Sequence, residues 1–354
     1  MDKSAALDID MERYARHLAL PDFSVFAQKR LKEAHVLMVG AGGLGAAALP
    51  YLAGAGIGKI SICDDDKISV SNLHRQTIYK TCDAGQSKAK IAADYAMMLN
   101  PDCAIVALDQ RMQVPHDFKG VNFDLIFDGS DNFATKSLLN ALSIENKTPL
   151  VSASVNQYYG QCGIFNGGYA DTPCYHCLFP ELPQEARNCN EAGVLGTAAG
   201  LSGIYQAHLT LLFLAGLEGA NPGMFLNFDL KSHRLQNMYV YKNAECPHCA
   251  HSGEEWNKSN NKGKADMVEI ISYDDLQNKD HIIVDVRTDG EVAQDPIEGA
   301  LHIEVSEIPA RHEELPKDKL LAFVCAGNVR SVQAVEYLAA LGYKNIIVLD
   351  KFSL

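Results

Sequence analysis

The chain has 354 residues, 47% of them hydrophobic and 21% charged, which excludes an intrinsically disordered protein and leaves room for two domains. The formal net charge of −13 argues against a direct nucleic-acid partner, because an acidic surface repels a phosphate backbone. Residues 1–10 are polar and acidic and lack the basic start and apolar run of a signal peptide, so we expect a cytoplasmic protein.

Short apolar segments alternate with helical patterns through the first part of the chain. The predicted strands are residues 36–39, 60–63, 104–108, 125–127 and 150–152, and helices are predicted at residues 88–99 and 134–146. This alternation predicts an α/β fold with a Rossmann-like doubly wound sheet. The apolar residues 200–217 include Gln206 and His208, which favour a buried helix over a membrane span.

A glycine-rich turn follows the first predicted strand. Gly40, Gly42 and Gly43 lie between that strand and an alanine-rich segment, so backbone N–H groups at the start of a helix can face a phosphate. Asp64 ends the next strand, where a carboxylate can accept hydrogen bonds from a ribose hydroxyl. Because such turns also serve tight packing between a strand and a helix, the ligand has to be argued from other residues.

Two cations and a carboxylate extend this site. Arg75 and Lys88 follow Asp64 and suit a triphosphate better than a dinucleotide, since a triphosphate carries more negative charge to neutralise. The alternative is that both are solvated surface charges. Asp131 follows the predicted strand 125–127, at the sheet edge where α/β proteins bind ligands, and could hold Mg2+ against phosphate oxygens.

Two Cys-x-x-Cys pairs form a separate constellation. Cys174 with Cys177, and Cys246 with Cys249, can present four thiolates tetrahedrally to Zn2+. Four sulfur ligands leave no open position for water, so the predicted zinc site is structural. A redox dithiol is the alternative for either pair.

A change in composition predicts a second domain. Residues 253–265 lack hydrophobic periodicity and are read as a linker between a domain at residues 1–252 and a small α/β domain at residues 266–354. In the small domain, Cys325 lies between a predicted strand and a helix, where loop amides and the helix dipole can stabilise a persulfide anion.

The motifs of the first domain together resemble the adenylyltransferases that activate ubiquitin-like sulfur carriers, of the molybdopterin-synthase and thiamine-biosynthesis type. The segments that carry this resemblance are Arg13-Tyr14-Ala15-Arg16, the glycine turn, Asp64-Asp65-Asp66, Ser71-Asn72-Leu73-His74-Arg75-Gln76, Lys88 and Ser130-Asp131-Asn132. The resemblance implies ATP- and Mg2+-dependent adenylation of a carrier that ends in Gly-Gly. It also implies a homodimer in which Arg16 reaches into the site of a partner subunit. The candidate ATP-binding residues are Gly40, Gly42, Gly43, Asp64, Ser71, Asn72, Arg75, Lys88, Asp131 and Asn132.

The second domain resembles a rhodanese domain. Asp285-Val286-Arg287 resembles its N-terminal signature, and the loop from Cys325 to Arg330 has the expected six residues. The resemblance implies a persulfide on Cys325, with thiosulfate or a cysteine desulfurase as sulfur donor. Asn328, Pro296 and the end of the chain depart from the family pattern, so an inactive rhodanese-like domain is the alternative.

Cys189 is a further candidate for the chemistry. In similar adenylyltransferases the cysteine before Glu-Ala-Gly lies near the carrier terminus, so Cys189 could attack the adenylate or accept persulfide sulfur; the alternative is an incidental thiol. Two other functions remain open, an NAD-dependent oxidoreductase and a non-catalytic scaffold for a ubiquitin-like protein. The sequence does not identify the carrier or its pathway, which could be molybdopterin, thiamine or tRNA thiolation.

Overall fold

The structure is a computed structural model that describes residues 9–10, 12–20, 22–113, 118, 121–180, 193–253, 270–276, 280–326 and 329–350. The described residues fall into two compact units, one within Met1–Lys29 and Lys262–Leu354 and the other within Arg30–Asn261. Residues before position 30 therefore group with the C-terminal unit. The domain limits of 1–252 and 266–354 stay predictions, since most of the predicted linker lies outside the described residues.

The unit within Arg30–Asn261 is built on an eight-stranded sheet with the order β3-β2-β1-β4-β5-β6-β7-β8. Its strands are β1 (His35–Val39), β2 (Lys59–Cys63), β3 (Ala104–Leu108), β4 (Leu125–Asp128), β5 (Leu150–Asn156), β6 (Tyr159–Phe165), β7 (Met224–Asp229) and β8 (Arg234–Tyr239). Strands β1 to β5 pair in parallel, and β5 to β8 pair antiparallel. The strand order reverses at β1, between β2 and β4, which is where an open α/β sheet binds its ligand.

The helices among the described residues complete the α/β fold. They are α1 (Ala15–Leu18), α2 (Val25–Glu33), α3 (Gly43–Gly54), α4 (Lys88–Leu99), α5 (Phe133–Asn146), α6 (Tyr175–Leu178), α7 (Gly196–Ala215), α8 (Tyr273–Leu276), α9 (Asp289–Gln294), α10 (Ile308–Arg311) and α11 (Val329–Ala340). The five strands predicted from the first part of the chain all form. Strands β1, β2 and β4 are mostly buried, and parallel strands that are buried on both faces read as short apolar runs. Strand β3 is an apolar run that is largely exposed at the edge of the sheet.

The antiparallel strands β6 to β8 were not predicted. Glycines interrupt the apolar pattern of β6: a Cβ atom at Gly160 would lie 2.1 Å from the ring of Phe228, and one at Gly163 would lie 2.5 Å from the ring of Phe225. Close packing between β6 and β7 therefore selects residues without side chains at these positions. Strand β8 is an edge of the sheet, and all six of its residues are exposed, including Leu235, Met238 and Tyr239.

Helix α7 corresponds to the predicted apolar helix at residues 200–217. By length and composition it could cross a membrane, with 20 residues and a mean hydropathy of 1.3, although 56% of its most apolar window is buried. Buried helices in the cores of soluble proteins meet the same criteria of length and hydropathy. Gln206 donates hydrogen bonds from its side chain to the carbonyl oxygens of Asp128 (2.7 Å) and Val151 (2.8 Å), so α7 is tied to the sheet as a buried helix.

The C-terminal unit has a five-stranded parallel sheet with the order β11-β10-β12-β13-β9. Its strands are β9 (Ile270–Ile271), β10 (His281–Asp285), β11 (Leu301–His302), β12 (Leu320–Val324) and β13 (Ile346–Leu349). One of its clusters of buried side chains includes Val284, Phe323 and Leu338. Within the same unit, Tyr14 and Leu18 pack near Tyr337 of α11.

Candidate active sites

A cavity of about 830 Å3 lies at the carboxyl ends of β1, β2 and β4. It is lined by nine of the ten predicted ATP-binding residues, namely Gly40, Gly42, Gly43, Asp64, Asn72, Arg75, Lys88, Asp131 and Asn132. Ser71 is exposed and does not line the cavity, although its carbonyl oxygen accepts a hydrogen bond from Arg75 Nη1 at 3.3 Å. One space thus brings together the predicted residues from five separate segments of the chain.

The glycine turn is held in place by contacts with three other parts of the chain, at Asp64, Tyr79 and Gly129. Gly40 has a φ of +94°, and a Cβ atom there would lie 2.6 Å from the carbonyl oxygen of Gly129. At Ala41, the backbone N–H donates to Asp64 Oδ2 (2.7 Å) and the carbonyl oxygen accepts from the hydroxyl of Tyr79 (2.7 Å). Helix α3 begins at Gly43, so its first N–H groups lie in a turn that is fixed before any ligand arrives.

Asp64 is both part of this scaffold and a candidate ribose ligand. Its second oxygen, Oδ1, accepts from the backbone N–H of Asp66 at 2.8 Å. Burial raises the pKa of Asp64, an effect that the nearby charge of Lys88 partly opposes. Because a carboxylate oxygen has two lone pairs, each oxygen can still accept a hydrogen bond from a ribose hydroxyl.

The two candidate phosphate cations differ in setting. Lys88 is 4% exposed, and its Nζ lies 2.7 Å from Oδ2 of the exposed Asp66, so Lys88 is a buried cation and not a solvated surface charge. An ammonium group has three donors, so Lys88 retains capacity for a phosphate oxygen. Arg75 is half-buried and donates from Nη2 to Asn72 Oδ1 at 3.0 Å, which orients its guanidinium at the cavity.

Asp131 and Asn132 lie in the turn between β4 and α5. Asn132 is the N-cap of α5, since its side-chain oxygen accepts from the backbone N–H of Thr135 at 2.9 Å. Asp131 is exposed to the cavity and makes no side-chain hydrogen bond within the part of the chain that the structure describes. Its carboxylate is therefore available to a hard cation such as Mg2+. Asp64, Asp65 and Asp66 form a second carboxylate group that could hold a metal ion.

Several cavity residues were missed from the sequence. They are Gln76, Gln110, Arg111, Lys136, Tyr159, Asn227, Arg234 and Gln236. Gln76 is buried, and its Oε1 has no hydrogen-bond partner among the described residues. The residues on β6 to β8 could not be found without those strands. One feature of the sequence could have indicated Lys136: it is the only lysine or arginine in α5, and it lies four positions after Asn132.

The four predicted metal-binding cysteines meet in space. The Sγ atom of Cys174 lies 3.7 Å from the Sγ atom of Cys246 and 3.9 Å from the Sγ atom of Cys177. The Sγ atoms of Cys177 and Cys249 are 3.5 Å apart. The cluster could hold a metal ion.

In the C-terminal unit, Cys325 follows β12 and is buried, with its Sγ 3.4 Å from the backbone N–H of Ser331 in the first turn of α11. Beside it, the guanidinium of Arg330 donates to both oxygens of Glu291, at 2.6 and 2.7 Å. This ion pair lowers the pKa of Glu291 and raises that of Arg330. Asn328 lies outside the described residues.

The two remaining predicted catalytic residues are Arg16 and Cys189. Arg16 lies on α1 in the unit that contains Cys325, and its side chain is exposed. Cys189 lies outside the described residues, so its proposed role stays a prediction.

Two family models match the chain: the ThiF family over residues 14–248 and the rhodanese-like domain over residues 272–352. Similar curated proteins include "Adenylyltransferase and sulfurtransferase MOCS3" of Drosophila grimshawi, 34% identical over 84% of this chain and 71% of that protein. The protein of the same name from Xenopus laevis is 31% identical over 97% of this chain and 81% of that protein. "Sulfur carrier protein ThiS adenylyltransferase" of Escherichia coli K12 is 35% identical over 70% of this chain and 98% of that protein.

Among solved structures, that of E. coli MccB matches with a TM-score of 0.61 and 18% identity over 71% of this chain and 76% of that chain, a likeness of fold. The predicted resemblance and the predicted α/β fold class are confirmed by these matches. The chain belongs to the ThiF family and carries a C-terminal rhodanese-like domain.

Proposed function

We propose that this protein adenylates the C-terminal glycine of a ubiquitin-like sulfur carrier and then converts the adenylate to a thiocarboxylate. The observation that carries the proposal is the single cavity in which a helix N-terminus, Asp64, two cations and Asp131 converge. The names of the relatives, adenylyltransferase and sulfurtransferase, support both steps. An NAD-dependent oxidoreductase would leave Lys88, Arg75 and Asp131 without a purpose.

In the first step, an oxygen of the carrier carboxylate attacks the α-phosphorus of ATP, and the bond to the bridging oxygen of pyrophosphate breaks. The nucleophile is already ionised at neutral pH, so no general base is required. Arg75 and Lys88 neutralise the charge that develops on the phosphates, and the N–H groups at the start of α3 orient them. Asp64 holds the ribose, and Asn72 holds Arg75 in place.

Mg2+ is the cation that we assign to this site. Asp131 would hold it, because this carboxylate faces the cavity and has no other partner among the residues described. The ion supplies positive charge at the phosphate oxygens when it is bound.

In the second step, a persulfide on Cys325 attacks the carbonyl carbon of the carrier adenylate, and AMP leaves. A second thiol then attacks the sulfur of Cys325 in the resulting acyl disulfide, which releases the carrier thiocarboxylate and leaves Cys325 in a disulfide. Cys189 is our candidate for this thiol, and a cellular thiol reductant restores both cysteines. Thiosulfate or a cysteine desulfurase recharges Cys325, and the reducing cytosol is the expected compartment.

We assign Zn2+ to the four cysteines as a structural ion. A tetrahedral site with zinc–sulfur bonds of about 2.3 Å has sulfur atoms about 3.8 Å apart. The sulfur–sulfur distances here are 3.5, 3.7 and 3.9 Å. The ion would fasten the segment at Cys246 and Cys249 to α6, which carries Cys177.

We also propose a homodimer, formed through the outer faces of α3 and α7. Ile204 on α7 and Tyr51 on α3 are exposed, although their helices pack on each other. Ile204→Glu should give monomers in analytical ultracentrifugation. Met98→Glu, which changes an exposed apolar residue on α4, is the matched control and should leave the dimer intact. A dimer in both variants would refute this interface.

Exchange of labelled pyrophosphate into ATP tests the first step directly. Exchange should require a carrier that ends in Gly-Gly, and comparing molybdopterin, thiamine and tRNA-thiolation carriers side by side identifies the substrate. Cys325→Ala should keep full exchange and lose thiocarboxylate formation, whereas Cys82→Ala, which changes an exposed thiol, should keep both. Absence of exchange with every carrier would refute the adenylation step. Normal thiocarboxylate formation by Cys325→Ala would refute the role of that cysteine.

A further inference from the structure

A buried ion pair lies beneath the turn that carries Asp131. Lys136 is 3% exposed and Asp128, the last residue of β4, is fully buried. The Nζ of Lys136 donates to Asp128 Oδ2 at 2.7 Å, to Ser152 Oγ at 3.3 Å and to the carbonyl oxygen of Ala153 at 2.8 Å. These three acceptors use all the donors of the ammonium group, so Lys136 has none left for a phosphate.

The carboxylate of Asp128 in turn fixes the beginning of the turn. Its Oδ1 accepts from both the backbone N–H (3.1 Å) and the hydroxyl (2.5 Å) of Ser130, the residue before Asp131. Its Oδ2 also accepts from the hydroxyl of Ser152 at 2.5 Å. The position of Ser130 is therefore set by hydrogen bonds to a charged group, which are stronger than bonds between neutral groups.

The same turn abuts the glycine turn. The backbone N–H of Gly129 donates to the carbonyl oxygen of Val39 at 2.8 Å, and a Cβ atom at Gly129 would lie 2.8 Å from the carbonyl oxygen of Gly40. Gly129 is therefore held by β1 and the glycine turn, whereas the residues after it, Ser130 and Asp131, depend on the hydrogen bonds of Asp128.

Stability alone does not account for this pair. A buried ion pair usually gains little over apolar residues of the same volume, because both charges have to be removed from water. Its distinctive property is geometric, since each partner tolerates few positions of the other.

We propose that Lys136 and Asp128 are positioning residues for adenylation. Lys136 balances the charge of Asp128, Asp128 fixes Ser130, and Ser130 aims Asp131 at the place where the cation of the nucleotide binds. The inference rests on the proposed function. Neither residue touches the nucleotide; both act through Asp131.

The test measures how much Mg2+ strengthens ATP binding, by calorimetry with and without the ion, together with hydrogen exchange of residues 129–132. Ser130→Ala removes one donor to Asp128 and should reduce the effect of Mg2+ on ATP affinity about 10-fold, the cost of a hydrogen bond to a charged group. It should also speed exchange in the turn. Affinity for ATP without Mg2+ should stay within about twofold, since the glycine turn keeps its own hydrogen bonds.

Ser143→Ala is the matched control. The hydroxyl of this buried serine donates to the carbonyl oxygen of Thr148 at 2.6 Å, near the other end of α5, so the variant should keep the full effect of Mg2+. The double variant Lys136→Met/Asp128→Leu removes both charges and should lose the effect as Ser130→Ala does. If the double variant does not fold, the comparison of the Mg2+ effect in Ser130→Ala with that in Ser143→Ala decides whether the inference holds.

An unchanged effect of Mg2+ in Ser130→Ala would overturn the inference, as would an equal loss in Ser143→Ala. Failure of the proposed function has a different outcome, because the unmodified protein would then bind no ATP and catalyse no pyrophosphate exchange.

Discussion

Replacing Gly40 with alanine tests whether the glycine turn forms the nucleotide site through its backbone geometry. A residue with a Cβ atom pays about 1–2 kcal/mol for a positive φ. At Gly40 the new Cβ atom would also lie 2.6 Å from the carbonyl oxygen of Gly129, whereas real Cβ atoms stay at least 3.0 Å away. Relieving this overlap requires a shift of about 0.4 Å or more and costs a further ~1–3 kcal/mol.

Gly85→Ala separates these two costs. Gly85 has a φ of +88°, close to that of Gly40, but nothing lies within 4 Å of its Cβ position. Both variants gain equally from a stiffer unfolded chain, so the difference between them isolates the overlap with Gly129. We expect Gly40→Ala to lose about 2–5 kcal/mol of unfolding free energy and Gly85→Ala about 1–2 kcal/mol.

Urea titrations, fitted with separate transitions for the two units, give the free energies of unfolding. Calorimetry with ATP gives the functional cost. Displacing the turn by a fraction of an ångström misaligns the phosphate-binding N–H groups, so Gly40→Ala should bind ATP at least about 10-fold more weakly, while Gly85→Ala binds normally. Unchanged ATP affinity in Gly40→Ala, or an equal loss in Gly85→Ala, would refute the reasoning.

Three further predictions concern the metal, the ribose carboxylate and the persulfide site. Cys246→Ser should lower the zinc content measured by mass spectrometry and the melting temperature of the unit, whereas Cys82→Ser should change neither; equal zinc in Cys246→Ser would contradict the assignment. Because burial raises the pKa of Asp64, ATP affinity should weaken on acidification at a higher pH than an ordinary aspartate would give. The folded state also retains this proton more tightly than the unfolded state, so the contribution of Asp64 to the free energy of unfolding should fall as the pH rises from about 3.8 through the raised pKa. The difference between the unmodified protein and Asp64→Asn measures this contribution, and Asp64→Asn should also lack the shifted pH dependence of ATP affinity. Glu291→Gln should weaken the hold on Arg330 and slow sulfur transfer from thiosulfate several-fold, while Glu307→Gln, which loosens an exposed pair with Arg311, should not.

The sequence was sufficient for the parallel half of the sheet and for most of the cavity. Buried parallel strands are short apolar runs, and their carboxyl ends meet at one edge, so the sequence alone places Gly40, Asp64 and Asp131 together. Strand β6 was missed because Gly160 and Gly163 are selected by contacts with β7, which no local pattern reveals. Strand β8 is exposed along its whole length and so has no buried face that an alternation of apolar residues would mark.

Charged residues were harder to place than apolar ones. Lys88 and Lys136 both lie in helices, look alike in sequence and line the cavity, yet Lys88 is paired with an exposed carboxylate and Lys136 with a fully buried one. Burial of a lysine depends on which carboxylate the fold brings to it, and both partners, Asp66 and Asp128, come from other elements. The grouping of α1 with the C-terminal unit is another tertiary property that hydrophobic periodicity does not encode.

The burial of Cys325 constrains how the two proposed reactions can be joined. A carboxylate does not react with a persulfide until it is activated, so adenylation must come first, and the mixed anhydride must then survive until sulfur arrives. The thiol of Cys325 is only 1% exposed, so the folded body of a carrier is too bulky to approach it closely. A terminal Gly-Gly has no side chains and can be extended, which makes it a suitable segment to reach both an enclosed phosphate site and an enclosed thiol. The Gly-Gly tail that we propose for the carrier therefore suits the burial of Cys325 as well as the chemistry of adenylation.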